Sequence, residues 1–206
     1  WNTPIMISPH DNRVIYTGGQ KLLRSGDRGD TWKAISPDLT DNDQEKIAGT
    51  GHIMYCTITT ISESPLEEGL IWVGTDDGRV HMTRDGGSSW TEYTSGITEL
   101  GAPADRWVSR VVTSGHHAGT AYVTKCGYRN DDFTPYVFKT TDYGQTWQDI
   151  SSNLPPYPVN VIFEDQKNED LLFIGNDHGV YVSLNGGENW AALEANMPPV
   201  VVRDLL

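Results

Sequence analysis

The chain has 206 residues, 37% of them hydrophobic and 21% charged, and a net charge of −13. That size and balance suit one domain with a sizeable core and exclude a disordered chain. Asp and Glu outnumber Lys and Arg by 28 to 15, which argues against nucleic acid or an anionic membrane surface as a partner, since both need a basic footprint.

Predicted strands recur in groups of four along the chain. The first group is 5–8, 14–17, 21–24 and 32–35. The second is 55–61, 70–74, 80–83 and 90–93. The third is 108–113, 121–124, 136–139 and 147–150. The fourth is 159–164, 171–175, 179–183 and 190–193. Each group is short, rich in β-branched and aromatic residues, and broken by turn signals. No amphipathic helix is expected anywhere. A last apolar run over residues 200–206 resembles the first strand of a fifth group. The fold expected is all-β: a β-propeller segment of four four-stranded antiparallel blades, at about 1–36, 53–94, 107–151 and 158–194, plus that extra strand. It reads either as a piece of a larger propeller or as half of a ring that a second copy completes.

An eight-residue pattern, Ser/Thr-x-Asp-x-Gly-x-Thr/Ser-Trp, sits between the third and fourth strand of every group. Its fixed residues are Ser25, Asp27, Gly29 and Trp32; Thr83, Asp85, Gly87 and Trp90; Thr140, Asp142, Gly144 and Trp147; and Ser183, Asn185, Gly187 and Trp190. The Asp accepts backbone N–H bonds two residues on, the Gly supplies positive φ, the hydroxyl closes the turn, and the Trp buries a large ring. Asn185 keeps an acceptor but is neither acid nor base.

This repeat, with stretches such as WNTPIMISPHDNRVIYTGGQKLLRSGDRGDTW, SPLEEGLIWVGTDDGRVHMTRDGGSSW and PYVFKTTDYGQTW, resembles the Asp-box (BNR-repeat) propellers, and within them the bacterial sortilin-like and glycosyl-hydrolase-like proteins. The resemblance covers essentially the whole chain. It implies an exported protein, extracellular or periplasmic, although no signal peptide is present. It also implies that the repeated turn lies at the outer end of each blade, away from the channel, so that its aspartates are structural. The group includes peptide binders, xyloglucanases, assembly factors and sialidases, so fold does not decide function. The arginine trio of a sialidase has no counterpart in the arginine spacing here.

Candidate functional residues lie on first strands and on two loops. Glu63, Glu164 and Asp165 are the carboxylates that a glycosidase would set across a cleft. Arg110, Arg203 and Asp204 share those strands. Asp105, Arg106 and Trp107 close one loop, and Tyr128 and Arg129 sit on another; aromatics with charged neighbours suit sugar stacking or peptide capture. Asp76 and Asp77 offer clustered oxygens to calcium, but no calcium-loop pattern surrounds them, and the six histidines are scattered. No metal and no cofactor is therefore expected. Three roles stay open: a non-catalytic module or scaffold binding a polysaccharide or peptide, part of a glycoside hydrolase, or a purely structural propeller. No membrane insertion is expected, for want of a long apolar run.

Overall fold

A computed structural model describes residues 3–48, 55–194, 196 and 198–206. The remaining positions, among them His52 and the first residues of the first two expected blades, lie outside the described residues.

Four antiparallel sheets follow one another along the chain. The first holds β1 (Ile5–Ile7), β2 (Ile15–Gly18), β3 (Leu22–Ser25) and β4 (Lys33–Ala34). The second holds β5 (Ile58–Glu63), β6 (Ile71–Thr75), β7 (Val80–Thr83) and β8 (Thr91–Glu92). The third holds β9 (Trp107–Thr113), β10 (Ala121–Cys126), β11 (Tyr136–Thr140) and β12 (Gln148–Asp149). The fourth holds β13 (Val159–Glu164), β14 (Leu172–Asn176), β15 (Gly179–Ser183) and β16 (Ala191–Ala192). Every strand pairs with its sequence neighbour, so each sheet is a meander. Two helical turns that periodicity did not announce, α1 (Gln44–Ile47) and α2 (Thr94–Thr98), sit in the connections between sheets. They are too short to carry an apolar stripe; α1 is set by the Asp43 carboxylate, which accepts from the Glu45 and Lys46 N–H groups.

The core lies between sheets rather than within one. Val14, Tyr16, Leu22 and Leu39 meet Ile58, Ile71 and Val73 in the first seam. Leu70, Trp72, Val80 and Met82 meet Val108, Val111, Val123 and Phe138 in the second. Tyr122, Val137 and Ile150 meet Val159, Ile162, Leu172 and Ile174 in the third. Burial on both faces explains why the middle strands read as continuous apolar runs: β6 and β10 are buried along their whole length.

Close approach at the first and second seams, and of the C-terminal segment to the fourth blade, needs a missing Cβ. A methyl at Gly18 would meet Ile58 Cβ at 2.7 Å, one at Gly74 would meet Val108 Cγ1 at 2.3 Å, and one at Gly175 would meet Val202 Cγ1 at 2.5 Å. Val202 thus stands against the fourth blade as Ile58 and Val108 stand against the first and second. Its N–H donates to Asn176 O at 2.9 Å, although residues 200–206 form no strand ladder.

The first three eight-residue turns are hydrogen-bonded alike, with a register that differs from the one expected. The Asp27 carboxylate accepts from residue 31, four on: Thr31 N–H at 2.8 Å and the Thr31 hydroxyl at 2.6 Å. The nearer N–H groups, of Asp27 and Gly29, donate to the Ser25 hydroxyl. Asp85 and Asp142 repeat this with Ser89 and Thr146. The tryptophans reach backwards to the preceding blade. Trp90 Nε1 donates to Ile35 O and Trp190 Nε1 to Ile150 O, while Trp147 stands edge-on to Trp72. Trp32 has no preceding blade among the described residues and is 43% exposed, against the burial expected of it.

Candidate functional site

The first strands converge. Ile5 and Met6 of β1, Thr59 and Ile61 of β5, Ser109 of β9 and Asn160 of β13 border one open cleft of about 400 Å³, which Trp107, Arg110 and Arg203 complete. Inner-strand side chains point into it because alternate residues of each first strand are taken by the seams. Several of its polar atoms are already committed to other parts of the frame. The Thr59 hydroxyl donates to Val108 O, the Ser109 hydroxyl to Val159 O, and the Asn160 amide to Asp177 and Val202 O.

The structure brings most of the sequence candidates to this side of the molecule. Trp107 opens β9, and the Arg129 guanidinium lies over its ring at 4.2 Å and over Tyr128 at 5.5 Å. Arg106 donates to Asp132 at 2.8 Å and to Asp105 at 2.7 Å. Burial pushes the Asp132 carboxyl up, but the hydrogen bonds from Arg106, Thr134 and Tyr136 together outweigh it and hold the group below its usual range. Arg110 Nη2 donates to Asp204 at 2.7 Å, and Arg203 lines the same cleft.

Lys125 is an unexpected support for this region. It is fully buried, and its ammonium donates to Pro103 O and Ala104 O, each at 3.1 Å, which pins the loop leading into Asp105, Arg106 and Trp107. Burial pulls its pKa down to about 8. Gly78 lies under the same loop, with space for no side chain against Ala104 O.

Glu63 and Glu164 stand elsewhere, in two different seams. Glu63 accepts from the Tyr16 hydroxyl at 3.2 Å and Gly69 N–H at 3.1 Å. Glu164 accepts from the Tyr122 hydroxyl at 2.9 Å, the Ser114 hydroxyl at 2.9 Å and Gly115 N–H at 2.8 Å. Beside each, a histidine ring nitrogen bonds the carbonyl that follows the strand: His10 to Ser64 O and His116 to Asp165 O, both at 2.8 Å. The Asp165 carboxylate accepts from Lys167 and Asn168 N–H and so closes a turn. Desolvation, aided by Glu63, pushes the Tyr16 hydroxyl up to about 12, and burial drives Tyr122 upward too. The His-x5-Tyr spacing, His10–Tyr16 and His116–Tyr122, was visible in the sequence as the sign of this arrangement. It occurs in the first and third blades, and the glutamates occur in the second and fourth, so the structural repeat is a pair of blades.

Asp76 and Asp77 are buried hairpin residues. Asp76 accepts from Tyr55 and Thr57 N–H, and Asp77 from Asp41 N–H and the Thr75 hydroxyl. Burial raises the Asp76 pKa. Among the described residues no three His, Cys, Asp or Glu side chains are grouped as metal ligands. Cys56 and Cys126 are buried free thiols, which desolvation pushes up, Cys56 to about 11. No helix among the described residues is long and apolar enough to cross a membrane.

No protein-family model matches the chain. The curated xyloglucanase Xgh74A of Acetivibrio thermocellus is 22% identical over 212 aligned residues, which take in 90% of this chain and 24% of the relative. The chain therefore spans about a quarter of that relative's length. Among solved structures, an ancestral GH74 enzyme superposes with a TM-score of 0.69 at 20% identity, covering 97% of this chain and 25% of that one. The GH74 xyloglucanase from Xanthomonas campestris gives 0.68 at 22%, covering 93% and 29%. YCF48 from Cyanidioschyzon merolae gives 0.58 at 14%, covering 91% and 54%. At these identities the likeness is one of fold, and it shows the chain to be a β-propeller segment of four four-stranded blades.

Proposed function

We propose that the chain is a non-catalytic, polysaccharide-binding part of a larger propeller, with the channel-side cleft as its site. The observation that carries this reading is the cleft itself. It is open, it gathers residues from every first strand, and it combines Trp107 with hydrogen-bonding side chains on a rigid frame, as saccharide sites do. Likeness to xyloglucanases favours a polysaccharide over a peptide as the ligand class. The same reading places the chain among the Asp-box, sortilin-like proteins and outside the cytoplasm.

Hydrolysis by the glutamates is the weaker reading, because of how they are held. Glu63 and Glu164 each take a tyrosine hydroxyl and a backbone N–H inside a seam, as structural carboxylates do. Affinity electrophoresis in gels cast with xyloglucan, mixed-linkage glucan or polygalacturonate tests the proposal. Retardation by at least one polysaccharide, weakened at least about tenfold by Trp107→Ala and unaccompanied by new reducing ends, is expected. Migration unaffected by all three overturns it. So does sugar release that Glu164→Gln abolishes.

A further inference from the structure

The charges around the cleft point to the kind of polysaccharide. Among the described residues its only charged lining side chains are Arg110 and Arg203, in a chain whose net charge is −13. Asp204 neutralises one guanidinium, through Arg110 Nη2. Arg203 is exposed and has no ion pair among the described residues. Two further donors, Arg110 Nε and Trp107 Nε1, are buried beneath the wall with no hydrogen-bond partner among the described residues. The hydroxyl hydrogens of Thr59 and Ser109 are used between blades, and the Asn160 amide is used by Asp177 and Val202 O. What the cleft leaves open to a ligand is therefore positive charge, at Arg203. An exposed planar guanidinium without an ion pair, beside a second one, favours a ligand that brings a carboxylate.

We infer that the site takes an acidic saccharide, with a uronate carboxylate received by Arg203 and Arg110 and the sugar ring set beside Trp107. This rests on the polysaccharide-binding reading above and narrows it from neutral glucans to uronic-acid chains. The surrounding negative charge then works as a filter, since it repels anions that do not reach the two arginines.

Titration calorimetry of the folded chain with tetragalacturonate and with cellotetraose separates the two claims. Tetragalacturonate binding at least about tenfold tighter than cellotetraose, or about 1.4 kcal/mol, is expected, with the advantage shrinking between low and high salt. Arg203→Gln, at an exposed position, should remove that advantage and leave the circular-dichroism spectrum and melting point unchanged. Arg110→Lys gives a second variant that keeps the charge and loses the planar fork, with an intermediate loss expected. Equal affinities for the two tetrasaccharides, indifferent to Arg203→Gln, overturn the acidic-ligand inference and leave polysaccharide binding standing. Failure of both saccharides, with binding of a peptide through its terminal carboxylate, overturns the saccharide reading as well.

Discussion

In the first three repeated turns a hydroxyl donates to the second oxygen of the carboxylate: Thr31 to Asp27, Ser89 to Asp85 and Thr146 to Asp142, at 2.6 to 2.7 Å. The fourth turn has no such bond. Asn185 Oδ1 accepts only from the Ser183 hydroxyl and from Asn189 N–H at 3.1 Å. The Thr31 hydroxyl bond, then the Ser25 bond, holds Asp27 down to about 2, and Ser89 does the same for Asp85, also to about 2. Replacing Asn185 by Asp and Asn189 by Thr together should therefore raise the melting temperature at pH 7, and Asn185→Asp alone should raise it less. The sign of the pH dependence follows from the lowered pKa. The gain is present above the unfolded carboxyl value, near 3.8, and is lost as pH falls through that value toward 2. Thermal melts of the double variant and the parent at pH 7, 4 and 2.5 check this. A gain that is as large at pH 2.5 as at pH 7 would show that the carboxylate is not its source.

At the scale of strands and seams, Gly18, Gly74 and Gly175 of three second strands set how closely their neighbours approach. Gly74 is the tightest, with Val108 Cγ1 2.3 Å from where a methyl would stand. Gly74→Ala should cost about 1–3 kcal/mol through overpacking, and adding Val108→Ala should recover part of that cost, since the two changes share one space. Urea melts of the two singles and the double measure the coupling; strict additivity would mean that the backbones move apart freely. This scale also shows what the sequence could carry. The strand groups and the repeated turns were legible because their signals are local: alternation, turn residues, and an eight-residue word whose bonds span four residues. The short helices escaped because four or five residues hold no periodicity. Candidates such as Trp107, Arg110 and Arg203 could be named from residue type and position, but their shared cleft forms only when separate first strands are brought side by side. Glu63 and Glu164 read as free acids on strand ends because the tyrosines that hold them lie 47 and 42 residues away. Lys125 escaped notice, since nothing near it in sequence announces a carbonyl cage 21 or 22 residues earlier.

Across the whole molecule, contacts join each blade to its sequence neighbours, as in a solenoid, so stability is nearly a sum of blades and seams. The seams are not equivalent. The first and third are tied by a buried tyrosine–glutamate pair flanked by a histidine, while the second is tied by Ser62 and Thr113 hydroxyls and by Trp72 standing between Tyr93 and Trp147. The first blade has a neighbour on one side only among the described residues, and Ile5 and Ile7 on its far side are 75% and 59% exposed. The third blade has neighbours on both sides, and β10 is buried at every position. Hydrogen exchange of this chain should therefore be slowest in β10 and fastest in β1 and β2, with β6 and β14 between. Tyr16→Phe withdraws one of the two donors to Glu63 and should cost about 1–2 kcal/mol, felt in the first blade and the seam it shares with β5. Tyr122→Phe removes one of three donors to Glu164, so its cost should be smaller, and it should speed exchange in β13 and β14 while leaving β2 as it was. If either change accelerates every strand equally, the four blades open as a single cooperative unit and the seam-by-seam account is wrong. If the effects stay local, the glutamates act as ties between particular blades, as their hydrogen bonds indicate.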